Sequence, residues 1–246
     1  SASHGEFPRF VFAPRDPQDA IDTMIRAFNL ADQFQVPVII LSDQYLADSN
    51  WTYSQLKCYE KPLSLQTITG DESYKRYELT DSGISPRTLP GVSDALVIVD
   101  SDEHDETGHL TEDLTIRSKM HHKRMRKIEE MQKGMRPPFH IPGHELTLIG
   151  WGSTFGVLYE AREKLVARGI NTGFIHLTDI YPFSPSWVSL LTSVPKPIII
   201  EGNYQGQFAR LLERETKSSF DLRINRYDGR PFFVNDLVDR IQEVLS

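Results

Sequence analysis

The sequence predicts an α/β protein built around parallel sheets. From residue 144 onward, short apolar runs alternate with segments of helical periodicity, which is the pattern of strands joined by crossover helices. The runs at 146–150 and 197–201 are apolar at nearly every position, as expected for strands covered on both faces. A further helix–strand pair stands near the start of the chain, and residues 44–93 between the two regions show no periodicity.

The first helix is predicted to begin at Asp16-Pro17, an aspartate N-cap followed by proline in the first turn. Apolar residues recur at helical spacing from Ala20 to Phe34, so one face is expected to be buried. The run at 38–41 follows Pro37 and is predicted to be an interior strand. Because this region holds only one helix and one strand, we interpret it as the end of a domain rather than a whole one.

The middle of the chain is polar and broken by proline and glycine from 44 to 93, a loop long enough to be functional or a linker. A strand is predicted at 95–99, followed by the acidic segment 101–109 and a polar helix from 111 to about 133. Thr111 is the expected cap of that helix. With so few apolar residues, the helix is expected to bridge domains or lie on a surface.

The last hundred residues are predicted to form a small parallel sheet with helices on both faces. The expected strands are 146–150, 170–177, 197–201 and 222–226, and the expected helices are 154–168, 185–191, 205–217 and 234–245.

Composition limits the function. The chain has 246 residues and a formal net charge of -7, which argues against a nucleic-acid-binding surface. Its one cysteine, Cys58, can neither form an internal disulfide nor hold an iron–sulfur cluster alone, and a reducing cytoplasmic setting fits best. No apolar run reaches the roughly 20 residues that span a membrane, and the first residues lack a signal-peptide pattern.

The segment 101–109 places four carboxylates and two histidines in nine positions. It is open to three interpretations: a metal site, a capped loop held by ion pairs to the basic helix downstream, or a loop that docks on a partner subunit. The spacing of His104 and His109 matches no known zinc motif, so the second and third interpretations are favoured.

Three other segments carry candidate sites. His4 and Glu6 pair an imidazole with a carboxylate, a combination able to handle protons. Residues 150–154 join a strand to a helix and offer free N–H groups to an anion, although any such crossover needs a similar turn. Residues 201–207 follow a strand at the edge where open α/β sheets bind ligands.

Motifs distributed over nearly the whole chain resemble the alpha subunits of the 2-oxoacid:ferredoxin oxidoreductases, most closely those of the 2-oxoglutarate type. Each motif is weak alone, but their shared order is specific. They are HGEFPR at 4–9, AFNLA at 27–31, PVIILSD at 37–43, GISPR at 83–87, DEHDE at 102–106 with GH at 108–109, TED at 111–113, GWGST at 150–154, LTDIYPF at 177–183 and EGNYQGQFAR at 201–210.

The resemblance implies a thiamine-diphosphate-dependent decarboxylation of a 2-oxoacid to an acyl-CoA, with electrons passed through iron–sulfur clusters to ferredoxin. The alpha subunit of this family carries a thiamine pyrimidine domain and a transketolase C-terminal-like domain, whereas the beta subunit holds the diphosphate, magnesium and the cluster cysteines. On this basis we expect His4, Gly5 and Glu6 to contact the cofactor. The residues expected at a subunit or domain interface are Glu103, His104, Asp105, Glu106, His109, Asn203 and Tyr204.

The chain also departs from the family pattern. The substrate motif Tyr-Pro-Ile-Thr-Pro, the Gly-Pro-Ser-Thr-Gly segment and the part of the pyrimidine domain that supplies the activating glutamate are all missing. We therefore expect the C-terminal portion of an alpha subunit, inactive by itself. Its expected parts are the end of a pyrimidine domain at 1–50, a linker at 51–143 and a transketolase C-terminal-like domain at 144–246.

Two alternatives remain open. The chain could be a non-catalytic interaction or regulatory module that keeps this architecture, or a metal-dependent hydrolase built on 102–109. A co-purifying partner with thiamine diphosphate would favour the oxidoreductase, retained metal would favour the hydrolase, and a partner-free monomer would favour the module.

Overall fold

The computed structural model describes residues 5–245 and contains two sheets and seven α-helices in this range. The elements in chain order are β1 (Phe10–Phe12), α1 (Pro17–Phe34), β2 (Val38–Ile40), α2 (Gln44–Asp48), α3 (Leu114–Lys133), β3 (Phe139–Ile141), β4 (Leu146–Trp151), α4 (Phe155–Ala167), β5 (Thr172–Leu177), β6 (Asp179–Tyr181), α5 (Val188–Ser193), β7 (Pro197–Glu201), α6 (Gln207–Thr216), β8 (Leu222–Asn225) and α7 (Val234–Leu245).

The chain divides into two compact units, each made of several segments. The first unit comprises the residues up to Phe10, Ile25–Val38 and Lys61–Gly134. The second unit comprises Val11–Met24, Ile39–Glu60 and the chain from Met135 onward. The boundaries expected near residues 50 and 143 stay a prediction about domain organisation.

The larger sheet has the strand order β3-β5-β4-β7-β8 and lies in the second unit. Strands β5, β4, β7 and β8 are parallel, and β3 joins the edge of β5 antiparallel. The α/β class is therefore confirmed, with one antiparallel edge strand that the sequence did not predict. The strand comprises residues 139–141, within the proline-rich break at 136–143, and three residues are too few to show a strand pattern there.

Crossover handedness explains the layers of this sheet. The chain moves to one side of β4 to form β5 and then crosses back to form β7 and β8. Because such crossovers are right-handed, the reversal places helices on opposite faces. Contacts join α4 to α7 and α5 to α6, which agrees with that placement. The α4–α7 side encloses a core with strand residues Leu148, Ile198 and Ile224 fully buried or nearly so.

The smaller sheet has the order β2-β1-β6. Phe10 N–H donates to Pro37 O and Leu41 N–H donates to Phe12 O, so the register rises in the same direction and β1 and β2 run parallel. Strand β6 pairs antiparallel with β1. Within residues 5–245 the expectation that 38–41 forms an interior strand is wrong, because β2 lies at the edge of this sheet and its Ile39 side chain is exposed.

Two local expectations in the middle of the chain are also wrong. Residues 95–99 form no strand, although their apolar composition suggested one. Helix α3 begins at Leu114, and its cap is Asp113, whose Oδ1 accepts from Thr115 N–H at 2.7 Å and Ile116 N–H at 3.0 Å. Thr111 instead accepts the N–H of Asp113 through its hydroxyl at 3.2 Å.

No helix among the described residues combines the length and the hydropathy that a bilayer span requires.

Candidate functional sites

The N-terminal candidates form no enclosed site among the described residues. His4 lies outside the described range, and Gly5 and Glu6 are exposed. A side chain added at Gly5 would meet no atom within 4 Å. Cofactor pockets bury most of their ligand, and the contact of His4, Gly5 and Glu6 with thiamine diphosphate stays a prediction. Within residues 5–245 no group of three or more His, Cys, Asp or Glu side chains could hold a metal ion.

In the first unit, the acidic loop 102–109 is organised around Asp105. Its Oδ1 accepts from the backbone N–H groups of Thr107, Gly108 and His109 at 2.8, 3.1 and 3.2 Å, and from the Thr107 hydroxyl at 2.6 Å. These bonds, with that of the Thr107 hydroxyl foremost, hold the pKa of Asp105 below its usual range. Asp105 is therefore an ionised acceptor that shapes the loop.

Two other carboxylates of this loop accept hydrogen bonds from donors of the same unit. Glu103 accepts from Arg124 at 2.8 and 2.9 Å and pairs with Arg117 at 3.1 Å. Burial raises the pKa of Glu103, but the bond and charge of Arg124 outweigh that effect and leave the pKa lowered. Glu106 accepts the N–H of Leu79 at 2.9 Å. The loop is thus capped and held by ion pairs, as the second interpretation requires.

The histidines of the loop differ in their contacts. The His104 ring lies against the Tyr77 ring, with 3.9 Å between centroids. His109 is exposed, and its Nδ1 lies 2.8 Å from the Thr107 hydroxyl. Gly108 has φ +98°, and a Cβ there would meet Ile98 O at 2.3 Å. Contact of this loop with a partner subunit stays a prediction.

Helix α3, which was expected to bridge domains or lie on a surface, buries two of its lysines. Lys123 and Lys127 are 4% and 7% exposed. Lys123 Nζ donates to Tyr77 O at 2.7 Å and to the Ser85 hydroxyl, and Lys127 Nζ donates to Gln35 O at 3.2 Å. Burial first, and then neighbouring positive charge, lowers the pKa of each to about 8. Lysines at helical spacing are typical of a solvent-exposed helix face, so no pattern in the sequence indicated that these two would be buried.

In the second unit, Glu201 ends β7 and is completely buried. Its carboxylate accepts from Phe208 N–H at 2.9 Å, Ala209 N–H at 3.1 Å and the Asn203 amide at 2.5 Å. It therefore caps the N-terminus of α6, where backbone donors and the helix dipole stabilise a negative charge. The sequence marked 201–207 as a possible ligand segment but not this internal role.

Asn203 and Tyr204 continue this segment. Asn203 Oδ1 accepts the N–H of Gln207 at 3.1 Å. Tyr204 is 72% exposed, and its ring meets the ring of Tyr227, itself 64% exposed, edge-on at 4.8 Å between centroids. Asn203 is thus largely used within the fold, whereas Tyr204 presents an aromatic surface.

His176 of β5 supports the turn 151–154 after β4 through a hydrogen bond. The Gly152 carbonyl accepts from His176 Nε2 at 2.9 Å, which requires the proton on Nε2. His176 is 1% exposed, and burial lowers its pKa to about 3, so the ring stays neutral at neutral pH. Gly152 adopts φ +59°, a conformation that favours glycine.

The chain is similar to known proteins over its whole length. The family described as "Pyruvate flavodoxin/ferredoxin oxidoreductase, thiamine diP-bdg" matches residues 2–123. The alpha subunit of 2-oxoacid:ferredoxin oxidoreductase 1 from Sulfurisphaera tokodaii is 34% identical over an alignment 255 positions long, which covers 100% of this chain and 40% of that protein. The 2-oxoglutarate oxidoreductase subunit KorA of Mycobacterium tuberculosis is 27% identical over an alignment 222 positions long, which covers 85% of this chain and 32% of that protein.

Among solved structures, the 2-oxoglutarate:ferredoxin oxidoreductase from Magnetococcus marinus, with 2-oxoglutarate, coenzyme A and succinyl-CoA bound, superposes with a TM-score of 0.85 and 29% identity. The match covers 99% of this chain and 43% of the other. The chain thus spans about 40% of the length of the first curated relatives. These matches confirm the resemblance predicted from the motifs: the chain belongs to the family of 2-oxoacid:ferredoxin oxidoreductase alpha subunits.

Proposed function

We propose that this chain forms part of the alpha subunit of a thiamine-diphosphate-dependent 2-oxoacid:ferredoxin oxidoreductase. The complex would decarboxylate a 2-oxoacid oxidatively, transfer the acyl group to coenzyme A and pass electrons to ferredoxin. The observation that carries the proposal is the structural match over 99% of the chain at TM-score 0.85 to an enzyme with substrate and product bound. We further propose the parts 1–50, 51–143 and 144–246 as pyrimidine-domain end, linker and transketolase C-terminal-like domain.

The chain's own residues favour a contributing role over independent catalysis. Gly5 and Glu6 are exposed. The single, exposed Cys58 cannot hold an iron–sulfur cluster, which needs several cysteine ligands. We therefore propose that a beta subunit and other alpha residues supply the magnesium, diphosphate and cluster sites. When bound, thiamine diphosphate would supply the carbanion chemistry of decarboxylation.

The proposed substrate is 2-oxoglutarate. Two curated relatives named for 2-oxoglutarate, from Mycobacterium tuberculosis and Archaeoglobus fulgidus, are 27% and 25% identical to this chain. The structural relative from Magnetococcus marinus also carries 2-oxoglutarate. The relative named for ketoisovalerate is 21% identical, which makes a branched 2-oxoacid the weaker choice.

Co-expression tests this function. The chain is produced together with the remaining alpha residues and a beta subunit, and reduction of ferredoxin is followed with 2-oxoglutarate and coenzyme A. We expect reduction that requires both compounds and is faster with 2-oxoglutarate than with pyruvate or 2-ketoisovalerate. A stable complex without 2-oxoacid-dependent reduction would support the non-catalytic module instead.

We also propose that the loop 102–109 and the pair Asn203 and Tyr204 contact other parts of the complex. Exposed aromatic residues are enriched in protein interfaces, and Tyr204 with Tyr227 offers such a surface. Tyr204→Ala is expected to weaken co-purification of the beta subunit. Tyr59→Ala, at a tyrosine of similar 70% exposure, is the matched control, and equal retention by both variants would contradict the interface.

A further inference from the structure

A cleft of about 760 Å³ opens at the carboxyl edge of the larger sheet, within the second unit. Trp151, Gly202 and Arg226, which stand at or directly after the ends of β4, β7 and β8, line it. The strand order reverses between β4 and β7. In open α/β sheets, ligands bind outside the carboxyl ends at this reversal. The volume lies within the usual range for small-molecule sites, about 300–1,000 Å³.

One wall is a loop stiffened by an internal ion pair. Asp228 accepts from Arg226 Nε at 2.9 Å and Nη2 at 3.1 Å, and its Oδ1 also accepts the N–H of Arg230 at 3.1 Å. Gly229 adopts φ +82°, which permits the tight turn. The loop is thereby fixed in a form that places Tyr227 and Arg230 in the lining of the cleft.

A second part of the lining is the short helix α2. Asp43 caps it by accepting the N–H of Leu46 at 2.9 Å and also accepts the hydroxyl proton of Ser153 in the turn that His176 supports. Tyr45 and Asp48 of this helix also line the cleft. Both parts of the lining are therefore anchored to the end of the sheet.

The charged side chains that line the cleft differ in whether they have partners within the described residues. Arg226 is bound at both ends of its fork by Asp228, whereas the guanidinium of Arg230 has no carboxylate partner among the described residues. The carboxylate of Asp48 likewise has no donor within that part of the chain. Tyr45 and Tyr227 are 47% and 64% exposed, and the Tyr227 ring also contacts the ring of Tyr204. The cleft thus offers one free cation, one free carboxylate and two rings.

We propose that this cleft binds a nucleotide, a purine nucleoside carrying phosphate. The base would stack on Tyr45 or Tyr227, since aromatic side chains bind any base through its π-face. The ribose hydroxyls would donate to Asp48, and the phosphate would bind Arg230, whose planar fork matches phosphate oxygens. A bare phosphate would leave the rings and Asp48 unused, and an uncharged sugar would leave Arg230 unused.

Fluorescence titration of the chain with a methylanthraniloyl derivative of ADP tests the proposal without any oxidoreductase assay. We expect saturable binding that unlabelled ADP displaces and inorganic phosphate at equal concentration does not. Unlabelled coenzyme A, which also contains an adenine nucleotide, is titrated in parallel to separate the two sources of the same chemistry. Displacement by ADP supports the site, whereas displacement by coenzyme A and not by ADP would overturn it, because coenzyme A is the acyl acceptor of the proposed function.

Variants locate the binding. Arg230→Gln should weaken binding by about tenfold, the loss expected for one charge-assisted contact, and Asp48→Asn should weaken it less. Arg214→Gln, at an exposed arginine of α6 paired with Glu215, should bind as the parent chain does. Circular dichroism confirms that each variant is folded. The absence of saturable binding, displacement by phosphate alone, or equal binding by folded Arg230→Gln would each overturn the proposal.

Discussion

Replacing Glu201 by glutamine tests how strongly the N–H donors around this buried carboxylate stabilise the fold. Glu201 is fully buried, and its acceptor bonds come from two backbone N–H groups of α6 and one amide. Glutamine has nearly the same shape but presents one oxygen and one NH₂ group. In either orientation of the amide, its NH₂ group points at a backbone N–H that donates to a carboxylate oxygen in the parent chain, so that hydrogen bond is lost.

The magnitude follows from these contacts. A hydrogen bond to a charged group contributes about 1.5–3 kcal/mol, and bonds to a neutral acceptor are roughly half as strong. Glu201→Gln loses one such bond outright and weakens the bond that remains to the other backbone donor. Because the site is fully buried, solvent does not compensate. We expect a loss of about 3 kcal/mol in the free energy of unfolding, or a fall in Tm of about 6–12 °C.

Urea unfolding followed by circular dichroism measures the change, and amide hydrogen exchange locates it. Exchange of the Phe208 and Ala209 amides should accelerate more than exchange in β4. Glu160→Gln is the control, since Glu160 has a 60% exposed side chain on α4 and pairs with Lys164. A loss below about 1 kcal/mol in Glu201→Gln, the net worth of an ordinary hydrogen bond, would refute the capping argument.

Three further predictions concern other sites. Gly108→Ala should destabilise the acidic loop by about 1–3 kcal/mol, because Gly108 has a positive φ and an added Cβ would approach Ile98 O. Limited proteolysis between 102 and 109 should therefore accelerate, and unchanged cleavage would contradict this. The pKa of His176 is lowered from 6.5 to about 3, so the unfolded state binds more protons and the free energy of unfolding should fall as pH drops from 6.5 toward 3. Urea midpoints at several pH values measure this fall, and His176→Gln should make it smaller. Because the pKa values of Lys123 and Lys127 are lowered from 10.5 to about 8, the free energy of unfolding should rise between pH 8 and 10.5; a rise equally steep in Lys127→Met would refute this.

The sequence was most informative where burial dictates composition. The largely apolar runs of β4 and β7 marked strands covered on both faces, and their alternation with helices predicted the parallel sheet. Short or irregular pairing left no such signal. Residues 95–99 are apolar enough for a strand but form none, and the three-residue strand β3 lies between prolines.

Side-chain roles were harder to predict, because they depend on distant partners. The carboxylates at 103–106 were marked by their density, and an ion-paired loop was among the stated interpretations. Their partners Arg124 and Leu79 are far along the chain and could not be assigned. The burial of Lys123 depends on Tyr77 O and Ser85, which no spacing rule connects to it.

The exposed edge of β2 has a practical consequence for handling the protein. An unpaired strand edge bearing isoleucine is a template for adding another strand, and Ile39 is 37% exposed at this edge. Produced alone and concentrated, the chain should be prone to self-association through this edge. Placing a lysine at Ile39 offers a direct way to keep the isolated chain dispersed for the binding and unfolding measurements.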